Sequence, residues 1–281
     1  MLRESRSFRV FQYAMAIFLC VFALVPLYTM VTSSLKPLKD IDGAFEWWPK
    51  NITFEAFRQI WTTVPLARYF ENSVIDCSVS TLFAVIVAVF TAYALSRYRF
   101  KGRTAFMRTV LATQMFPGVL FLLPLFLIFV NIDNALGFSL FYQTRFGLIV
   151  TFLTFNLPFA IWMLTSYFDA IPTELDESAR VDGTGAVGAL LRVIVPVARP
   201  GIIAVAVYCF MTSWGEILFA SVMTDSQTAT LSIGLQSYAS QTDVYWNQIM
   251  AATLVVSLPI IVIFLLVQRN LVSGLTAGGV K

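Results

Sequence analysis

Long apolar runs separated by short polar loops dominate the pattern of this 281-residue chain. Six runs each approach or exceed the roughly 20 residues that an α-helix needs to cross the hydrocarbon core of a bilayer. Their approximate limits are 10–32, 73–96, 105–130, 146–167, 201–223 and 249–267. The pattern predicts an all-α, polytopic membrane protein with six transmembrane helices.

The first run admits a second interpretation, as a signal peptide that is removed. It follows a short segment, 1–9, that carries Arg3, Arg6 and Arg9. Its apolar stretch approaches 20 residues, whereas the apolar core of a signal peptide usually has about 7 to 15. We therefore expect an uncleaved first transmembrane helix.

The segment 33–72 is polar, with mixed charges, three tryptophans and three prolines. Apolar residues recur within it at helical spacing, at Phe54, Phe57, Ile60 and Trp61. This spacing predicts an amphipathic helix that rests on the membrane or on the helix bundle.

Lysine and arginine are distributed unevenly between the loops. The segment 1–9, the loop 97–108, the polar stretch 171–201 and the tail 269–281 hold most of the 19 basic residues, and the segment 33–72 and the loop around Arg145 hold the others. The positive-inside rule then places both termini and the stretch 171–201 in the cytoplasm, and 33–72 outside. The core 73–268 contains the remaining five predicted spans.

Composition excludes several other classes of protein. The chain is 58% hydrophobic and 12% charged, whereas soluble domains have about 25% charged residues. The net charge of +3 is small and scattered, which argues against nucleic-acid binding. Histidine is absent and Cys20, Cys77 and Cys209 are far apart, so neither a zinc site, a histidine-based triad nor a disulfide is expected.

The stretch 171–201 is a long polar interruption between the fourth and fifth apolar runs. Thr173 precedes three acidic residues and predicts the N-cap of a short helix that begins at Glu174. Gly183 is placed to close this helix in the left-handed conformation, which only glycine adopts without a steric cost.

A second helix is expected directly after Gly183, with Thr184 as its cap. Its predicted apolar face consists of Val187, Leu190, Leu191 and Ile194. Pro196 and Pro200 are expected to end this helix before the fifth span. The prediction is a helix, a sharp turn and a second helix on the cytoplasmic side.

This stretch resembles the EAA loop of permease subunits in binding-protein-dependent ABC importers. The matching residues are Glu177, Ser178, Ala179, Asp182, Gly183, Pro196 and Pro200. Ser178 and Thr184 stand where the family usually has alanine, and both changes are small. The resemblance implies a coupling loop at 171–200, in which Glu177, Ala179, Asp182 and Gly183 contact an ATPase subunit.

Nearly the whole chain is similar to the MalG-like permeases of carbohydrate importers of the maltose and trehalose type. Further matches are Asn72 and Ser73, the segment 93–102, Pro117 and Pro124, and the tail residues Gly274, Leu275, Thr276, Gly278, Val280 and Lys281. The tail that the resemblance concerns runs from Ser273 to Lys281. The resemblance implies the type I importer permease fold. It also implies that the tail contacts the ATPase pair, for which a frayed polar end is the alternative.

Two acidic residues fall within predicted membrane helices. Asp76 lies near the external end of the second helix, where we expect it to reach water. Glu216 is predicted midway along the fifth helix, where an unpaired charge is costly, so we expect it to face a polar pathway or a partner, or to be protonated. Other candidates for a substrate pathway are Trp214, Asn156 and Gln114, although polar residues in a bundle more often hold helices together.

The expected function is transport without chemistry in this chain. No G-x-x-x-x-G-K-[ST] motif is present, so ATP and magnesium are expected on partner subunits, and no metal or cofactor is expected here. The resemblance implies a heterodimer with a second related permease, two ATPase subunits, and an external binding protein or lipoprotein, in a bacterial inner (plasma) membrane and among its lipids.

The substrate is expected to be a sugar by the resemblance alone. Glycerol phosphate and other small polar solutes use similar permeases, but no lysine or arginine lies midway along a predicted helix, which favours a neutral oligosaccharide. A secondary transporter or channel is a rival class. It would show more ionisable residues within its helices and often repeated halves, and neither is evident here.

Overall fold

The computed structural model describes residues 6–41, 46–239 and 243–278, with side chains as far as Gln268. Most of these residues are helical. The one β contact among the described residues is an isolated bridge between Ala239 and Val244. The helices before the third span are α1 (Arg6–Ser34), α2 (Leu38–Ile41), α3 (Glu55–Thr63), α4 (Leu66–Arg97) and α5 (Arg103–Gln114).

The following helices are α6 (Leu122–Leu136), α7 (Arg145–Asp169), α8 (Glu174–Val181), α9 (Ala186–Ala189), α10 (Val195–Val197), α11 (Arg199–Trp214), α12 (Leu218–Met223), α13 (Leu231–Gln236) and α14 (Trp246–Gly278). A 3₁₀ turn, Gly118–Phe121, precedes α6, and a π turn, Leu190–Ile194, joins α9 to α10.

Five helical stretches are long and apolar enough to cross a membrane. They are Arg6–Ser34, Leu66–Arg97, Gly118–Leu136, Arg145–Asp169 and Trp246–Gln268. A sixth candidate is the pair Ala186–Val197 and Arg199–Trp214, which is bent by 81°. The predicted all-α membrane fold with six spans is confirmed, with the sixth span formed only when the bent pair is counted as one.

Two of the predicted spans are not continuous helices. The run 105–130 was expected to be one helix, but α5 ends at Gln114 and the third span begins at Gly118. Pro117 lies between them with an extended backbone, and proline both lacks an N–H and disfavours a helical residue before it. The run 201–223 is likewise divided into α11 and α12 by residues 215–217.

The chain forms two compact units. The first contains residues up to Leu66 together with Gly234–Leu258, and the second contains Ala67–Ile233 and the chain from Pro259 onward. In the first unit the predicted amphipathic helix is α3. Ile60 is fully buried on it, but Phe54 and Trp61 are exposed, so the predicted apolar face is only partly covered.

The second unit has a core built around small residues. Ala84, Ala88 and Ala92 recur every four residues on α4 and are fully buried in one cluster with Leu164 and Phe168 of α7. Small side chains at this spacing allow helices to approach closely. α11 also approaches α7 closely at Gly201. A Cβ at this position would lie 2.7 Å from the ring of Tyr167, so only glycine fits without a shift of that ring.

Candidate coupling helix and membrane cavity

The short helix α8 begins at the predicted residue but not with the predicted cap. The Thr173 carbonyl accepts hydrogen bonds from the N–H groups of Asp176 and Glu177, at 3.0 and 3.2 Å. The Thr173 side chain makes no capping bond, because its backbone is helical (φ −69°, ψ −23°) instead of the extended conformation that N-cap residues usually adopt.

Gly183 ends α8 as predicted, with φ +83°. The Gly183 N–H donates to the Arg180 carbonyl and the Thr184 N–H donates to the Ala179 carbonyl, each at 3.0 Å. These two bonds form a Schellman motif, which fixes the direction in which the chain leaves the helix. The Thr184 hydroxyl also donates to the Ala179 carbonyl. Thr184 therefore stabilises the end of α8, and its predicted role as cap of the next helix is wrong.

The helix after this turn is distorted where a regular one was expected. Leu190 and Ile194 are buried as predicted, but Val187 and Leu191 are exposed. Leu191 lies within the π turn Leu190–Ile194, whose wider turn departs from the 3.6-residue period on which the predicted face depends. Val187 precedes this turn, on α9.

Pro196 and Pro200 were expected to end the helix that follows Gly183, and this prediction is wrong. Pro196 lies inside α10, and Pro200 lies in the first turn of α11, where the missing N–H costs nothing. The bend falls between them, at Ala198.

A buried ion pair fixes α8 to the bundle. The Asp176 carboxylate accepts hydrogen bonds from the Tyr93 hydroxyl and from Nε of Arg97, each at 2.7 Å. Only 4% of the Arg97 side chain and 6% of the Asp176 side chain are exposed. This contact was not predicted from the sequence, because Arg97 and Asp176 lie 79 residues apart in the chain. The spacing of Tyr93 and Arg97, one helical turn apart at the end of an apolar run, was the available signal.

The predicted coupling residues divide into exposed and buried ones. Glu177, Ser178, Asp182 and Gly183 are exposed at α8 and its turn. Ala179 is only 5% exposed and faces its own chain, so its side chain is not available for the predicted contact. Three apolar side chains in this stretch are also exposed, which was not predicted from the sequence. Val181 is 87% exposed, Val187 58% and Leu191 50%.

The predicted tail contact lies outside the side chains that the structure describes. Ser273, Gly274, Leu275 and Thr276 continue α14 as a helix, but their side chains, and residues 279–281 altogether, lie outside the described part of the chain.

A cavity of about 160 Å³ lies between α7 and the α11–α12 break. Its polar lining includes Asn156 and Glu216, two of the four predicted pathway residues. Asn156 donates from Nδ2 to the Ser213 hydroxyl at 2.9 Å and accepts from the Thr212 hydroxyl at 2.8 Å. Three phenylalanine rings and Thr151 complete the lining.

Glu216 does not lie midway along a continuous helix. It follows the end of α11, and its two carboxylate oxygens accept the N–H groups of Phe219 and Ala220 at 2.8 and 2.9 Å. These are unpaired donors of the first turn of α12, where a negative charge is stabilised. The carboxylate is thus held at a helix N-terminus while its residue still lines the cavity.

The other two pathway candidates lie elsewhere. Gln114 lines a second, mostly apolar cavity of about 200 Å³, and Phe155 is shared by both cavities. Trp214 lines neither cavity. Its ring is buried against Phe210, with ring centroids 5.3 Å apart.

The prediction that Asp76 reaches water is wrong. Its residue is fully buried in α4, and neither carboxylate oxygen has a hydrogen-bond partner among the described residues.

A family model, described as the binding-protein-dependent transport system inner membrane component, matches residues 81–277. The chain belongs to this family. The permease is 40% identical over 275 residues to the inner membrane ABC transporter permease protein YcjP of Escherichia coli (strain K12), covering 96% of the chain and 95% of that protein. It is 34% identical over 264 residues to the trehalose transport system permease protein SugB of Mycobacterium tuberculosis (strain CDC 1551 / Oshkosh), covering 92% and 93%.

Among solved structures, the permease is similar to a chain of a bacterial ABC transporter that imports the acidic polysaccharide alginate. The TM-score is 0.79 and the identity 22%, covering 96% of this chain and 100% of that chain. The predicted family, the type I importer permease fold and the multi-pass location in the inner membrane are confirmed.

Proposed function

We propose that this permease moves a sugar across the inner membrane in an ATP-driven ABC importer, and that α8 is its contact with a separate ATPase subunit. The observation that carries the proposal is the construction of α8. It is a short helix with an exposed acidic and apolar surface, closed by a Schellman turn and fixed to the bundle by a buried ion pair. An element held this firmly moves together with the bundle when a partner moves it.

The exposed residues of α8 and of the helical segment that follows it suit a protein partner. Val181, Val187 and Leu191 present apolar area in a part of the chain expected to lie outside the bilayer, with Glu177 and Asp182 nearby. Apolar patches bordered by charges are typical of protein interfaces. Both termini and α8 are then cytoplasmic, with ATP and magnesium bound by two ATPase subunits, and a second, related permease completes the translocation pathway. An external binding protein delivers the substrate.

The cavity lined by Asn156 and Glu216 suits a sugar. It combines amide and hydroxyl groups with aromatic rings, the mixture that binds sugar hydroxyls and ring faces, while the Glu216 carboxylate is held by backbone N–H groups of α12. Neither lysine nor arginine lines it, which favours a neutral oligosaccharide over an anion such as glycerol phosphate. SugB, a similar protein, is described as a trehalose transport system permease protein, and trehalose is a neutral sugar.

Reconstitution tests this function. The complex purified through a tag on this chain is placed in proteoliposomes with its binding protein, and uptake of radiolabelled trehalose is compared with uptake of glycerol 3-phosphate. We expect uptake of the sugar that requires ATP and is inhibited by vanadate. Uptake driven by an ion gradient in liposomes that contain this chain alone would refute the proposal, and preferential uptake of glycerol 3-phosphate would refute its substrate class.

A surface variant tests the ATPase contact separately. Val181→Lys places a charge in the apolar surface of α8, and we expect it to lower the amount of ATPase that copurifies. Ser226→Lys is the matched control, because Ser226 is also exposed but lies in the loop at the opposite end of α4. Equal copurification with both variants would contradict the assignment of α8.

A further inference from the structure

The short helix α3 has one side that packs on its own unit and one side that faces water. Ala56 and Ile60, one helical turn apart, are fully buried. Arg58 and Thr62, also one turn apart, are exposed. Because successive residues of an α-helix are rotated by about 100°, these two pairs lie on opposite sides of the helix axis. The helix is therefore fixed to the first unit by one side only.

A third side of α3 is apolar and exposed. Phe54, Phe57 and Trp61 follow the i, i+3, i+7 spacing that places side chains in one row, and this row lies between the buried side and the polar side. Phe54 is 70% exposed and Trp61 46%, and the ring centroids of Phe54 and Phe57 are 6.3 Å apart. The first unit leaves this row largely uncovered.

The loop before α3 adds further exposed apolar side chains. Trp48 is 71% exposed, and Trp47 and Ile52 are also exposed. Large apolar side chains thus face outward along the whole stretch from residue 47 to residue 61. We name the six outward-facing apolar residues the α3 surface: Trp47, Trp48, Ile52, Phe54, Phe57 and Trp61.

Hydrogen bonds hold the α3 surface beside the end of the first membrane span. The Tyr28 hydroxyl on α1 donates to the Trp47 carbonyl at 2.6 Å, and the Thr53 N–H donates to the Leu35 carbonyl at 2.9 Å. The charge-free part of α1 begins at Val10, and Tyr28 lies 18 residues further along, which is about 27 Å. This length is close to the roughly 30 Å of the hydrocarbon core, so Tyr28 and Trp47 lie at its boundary.

A second membrane span holds α3 at the same level. Nε2 of Gln248 donates to Oε1 of Gln59 at 3.0 Å, and Gln248 lies in the first turn of the span Trp246–Gln268. The Tyr238 hydroxyl donates to the Ile60 carbonyl at 2.5 Å. All of these residues belong to the first unit. The end of one span and the beginning of another therefore fix the α3 surface where the apolar helices leave the bilayer.

We propose that the α3 surface is a lipid anchor that lies among the headgroups and the adjoining acyl chains of one leaflet. Tryptophan and tyrosine concentrate at this depth, because their rings are apolar while their N–H and O–H groups still reach water or headgroups. Interfacial helices bury their apolar side about 5–10 Å into this region. A protein that approaches from the water meets the polar side of α3, with Arg58 and Thr62, and not the α3 surface.

The anchor goes beyond the proposed function. It depends neither on the substrate nor on the contact of α8 with an ATPase, but only on the position of the two spans in a membrane. With the topology expected from the positive-inside rule, the leaflet is the outer one. The chemical partner is phospholipid.

Photocrosslinking in the assembled complex tests the contact. The photoreactive aromatic residue p-benzoylphenylalanine, which inserts into nearby C–H bonds, replaces Trp48, Phe54 or Trp61, one position at a time. Each complex is placed in liposomes of phosphatidylethanolamine and phosphatidylglycerol together with the binding protein, irradiated, and analysed by mass spectrometry. We expect this chain to gain the mass of one phospholipid molecule at each of the three positions.

Thr62 provides the matched control, because it follows Trp61 directly but lies on the polar side of α3. The same photoreactive residue at position 62 should give little phospholipid adduct. Position 62 also shows whether the reagent reports the side of the helix or only its closeness to the membrane.

Every outcome decides the inference. Crosslinks from positions 48, 54 and 61 to a protein, whether the binding protein or a second permease, would overturn the lipid anchor and assign the surface to that protein. Equal phospholipid adducts at positions 61 and 62 would overturn it as well. If one labelled chain does not assemble, the other two positions decide in the same way. Absence of sugar uptake by the native complex would contradict the proposed function and leave the anchor standing.

Discussion

Gly183 has the left-handed backbone conformation that turns the chain after α8, with φ +83°. A Cβ placed on this residue would meet no atom within 4 Å. Replacement of Gly183 by alanine therefore introduces no clash, and its entire cost is conformational. The substitution isolates the effect of the turn geometry on coupling.

The size of the effect follows from the backbone conformation. An L-residue in the left-handed region costs about 1–2 kcal/mol relative to glycine. This range corresponds to a factor of about 5 to 30 in the equilibrium between the closed and the opened turn. Asparagine tolerates the conformation better than alanine, and valine tolerates it least because it is β-branched. We expect the turn to be most stable with the native Gly183, less stable with asparagine at this position, less again with alanine, and least stable with valine.

Hydrogen exchange and transport together measure this effect. The Thr184 N–H donates to the Ala179 carbonyl only while the turn is closed. Its exchange should accelerate by about 5 to 30-fold in Gly183→Ala, if exchange follows the opening of the turn. In the reconstituted complex, Gly183→Val should hydrolyse ATP with much less sugar transported per ATP, while the binding protein still binds its sugar.

Gly185→Ala is the control for Gly183→Ala. A Cβ on Gly185 also meets nothing within 4 Å, but its backbone is extended, with φ −71° and ψ 171°, so alanine fits without strain. We expect this variant to behave as the native chain. Equal effects of the two alanine substitutions, or normal transport by Gly183→Val, would refute the assignment of Gly183 as the rigid turn of the coupling loop.

Three further substitutions or conditions have defined outcomes. Gly147→Ala would place a Cβ 1.8 Å from the carbonyl oxygen of Phe141, so we expect a loss of more than about 3 kcal/mol in stability, measured by thermal unfolding in detergent. Glu216→Ala leaves two N–H groups of α12 without their acceptor, and should lower stability by about 1.5–3 kcal/mol with less change in sugar affinity. Partial burial raises the pKa of Asp225, but hydrogen bonds from the Thr228 N–H and hydroxyl and from the Gln227 N–H lower it overall. The Asp225 carboxylate should therefore stabilise the turn at 225–228 fully above the ordinary pKa near 3.8, and this stabilisation should be lost as the pH falls through the lower pKa. Amide protection in the turn, taken relative to the intrinsic exchange rate at each pH, should fall over the same range.

Each of these has a control within the chain. Gly118→Ala meets only an ordinary contact 3.8 Å from Phe155 and should be tolerated, and an equal loss in Gly147→Ala and Gly118→Ala would contradict the steric argument. Glu216→Gln keeps one accepting oxygen and should be intermediate. A loss of sugar affinity without loss of stability in Glu216→Ala would instead assign this residue to the substrate. Asp225→Asn should remove the pH response of the turn, and its persistence would exclude Asp225 as the cause.

The helix α8 and its closing turn show which contacts local sequence can predict. The start of α8 at Glu174 and the left-handed Gly183 depend on neighbouring residues and on backbone sterics, and both were predicted correctly. Thr184 was predicted to cap the following helix, but its hydroxyl bonds back to Ala179. Both bonds are possible for a threonine at this position. In the Schellman turn the N–H and the hydroxyl of Thr184 donate to the same Ala179 carbonyl.

The charged residues of the bundle show the opposite case. No pattern of neighbouring residues predicts the pair formed by Arg97 and Asp176, which lie 79 residues apart in the chain. Glu216 was expected to be an exceptional intramembrane charge, yet a break in the fifth span supplies it with two backbone donors. Asp76 was expected at the water interface and is instead fully buried.

The sequence by itself determined the all-α membrane fold, the number of candidate spans and the helix and left-handed turn at Glu174–Gly183. Each of these depends on hydrophobic run length, turn chemistry or motif spacing, which act over a few to about 20 residues. Only the tertiary structure decided where the helices break and which partner each buried polar group finds. The physical reason is that a polar group in the bundle must be satisfied by whatever donor or acceptor the packing brings to it, and that donor or acceptor belongs to a distant part of the chain.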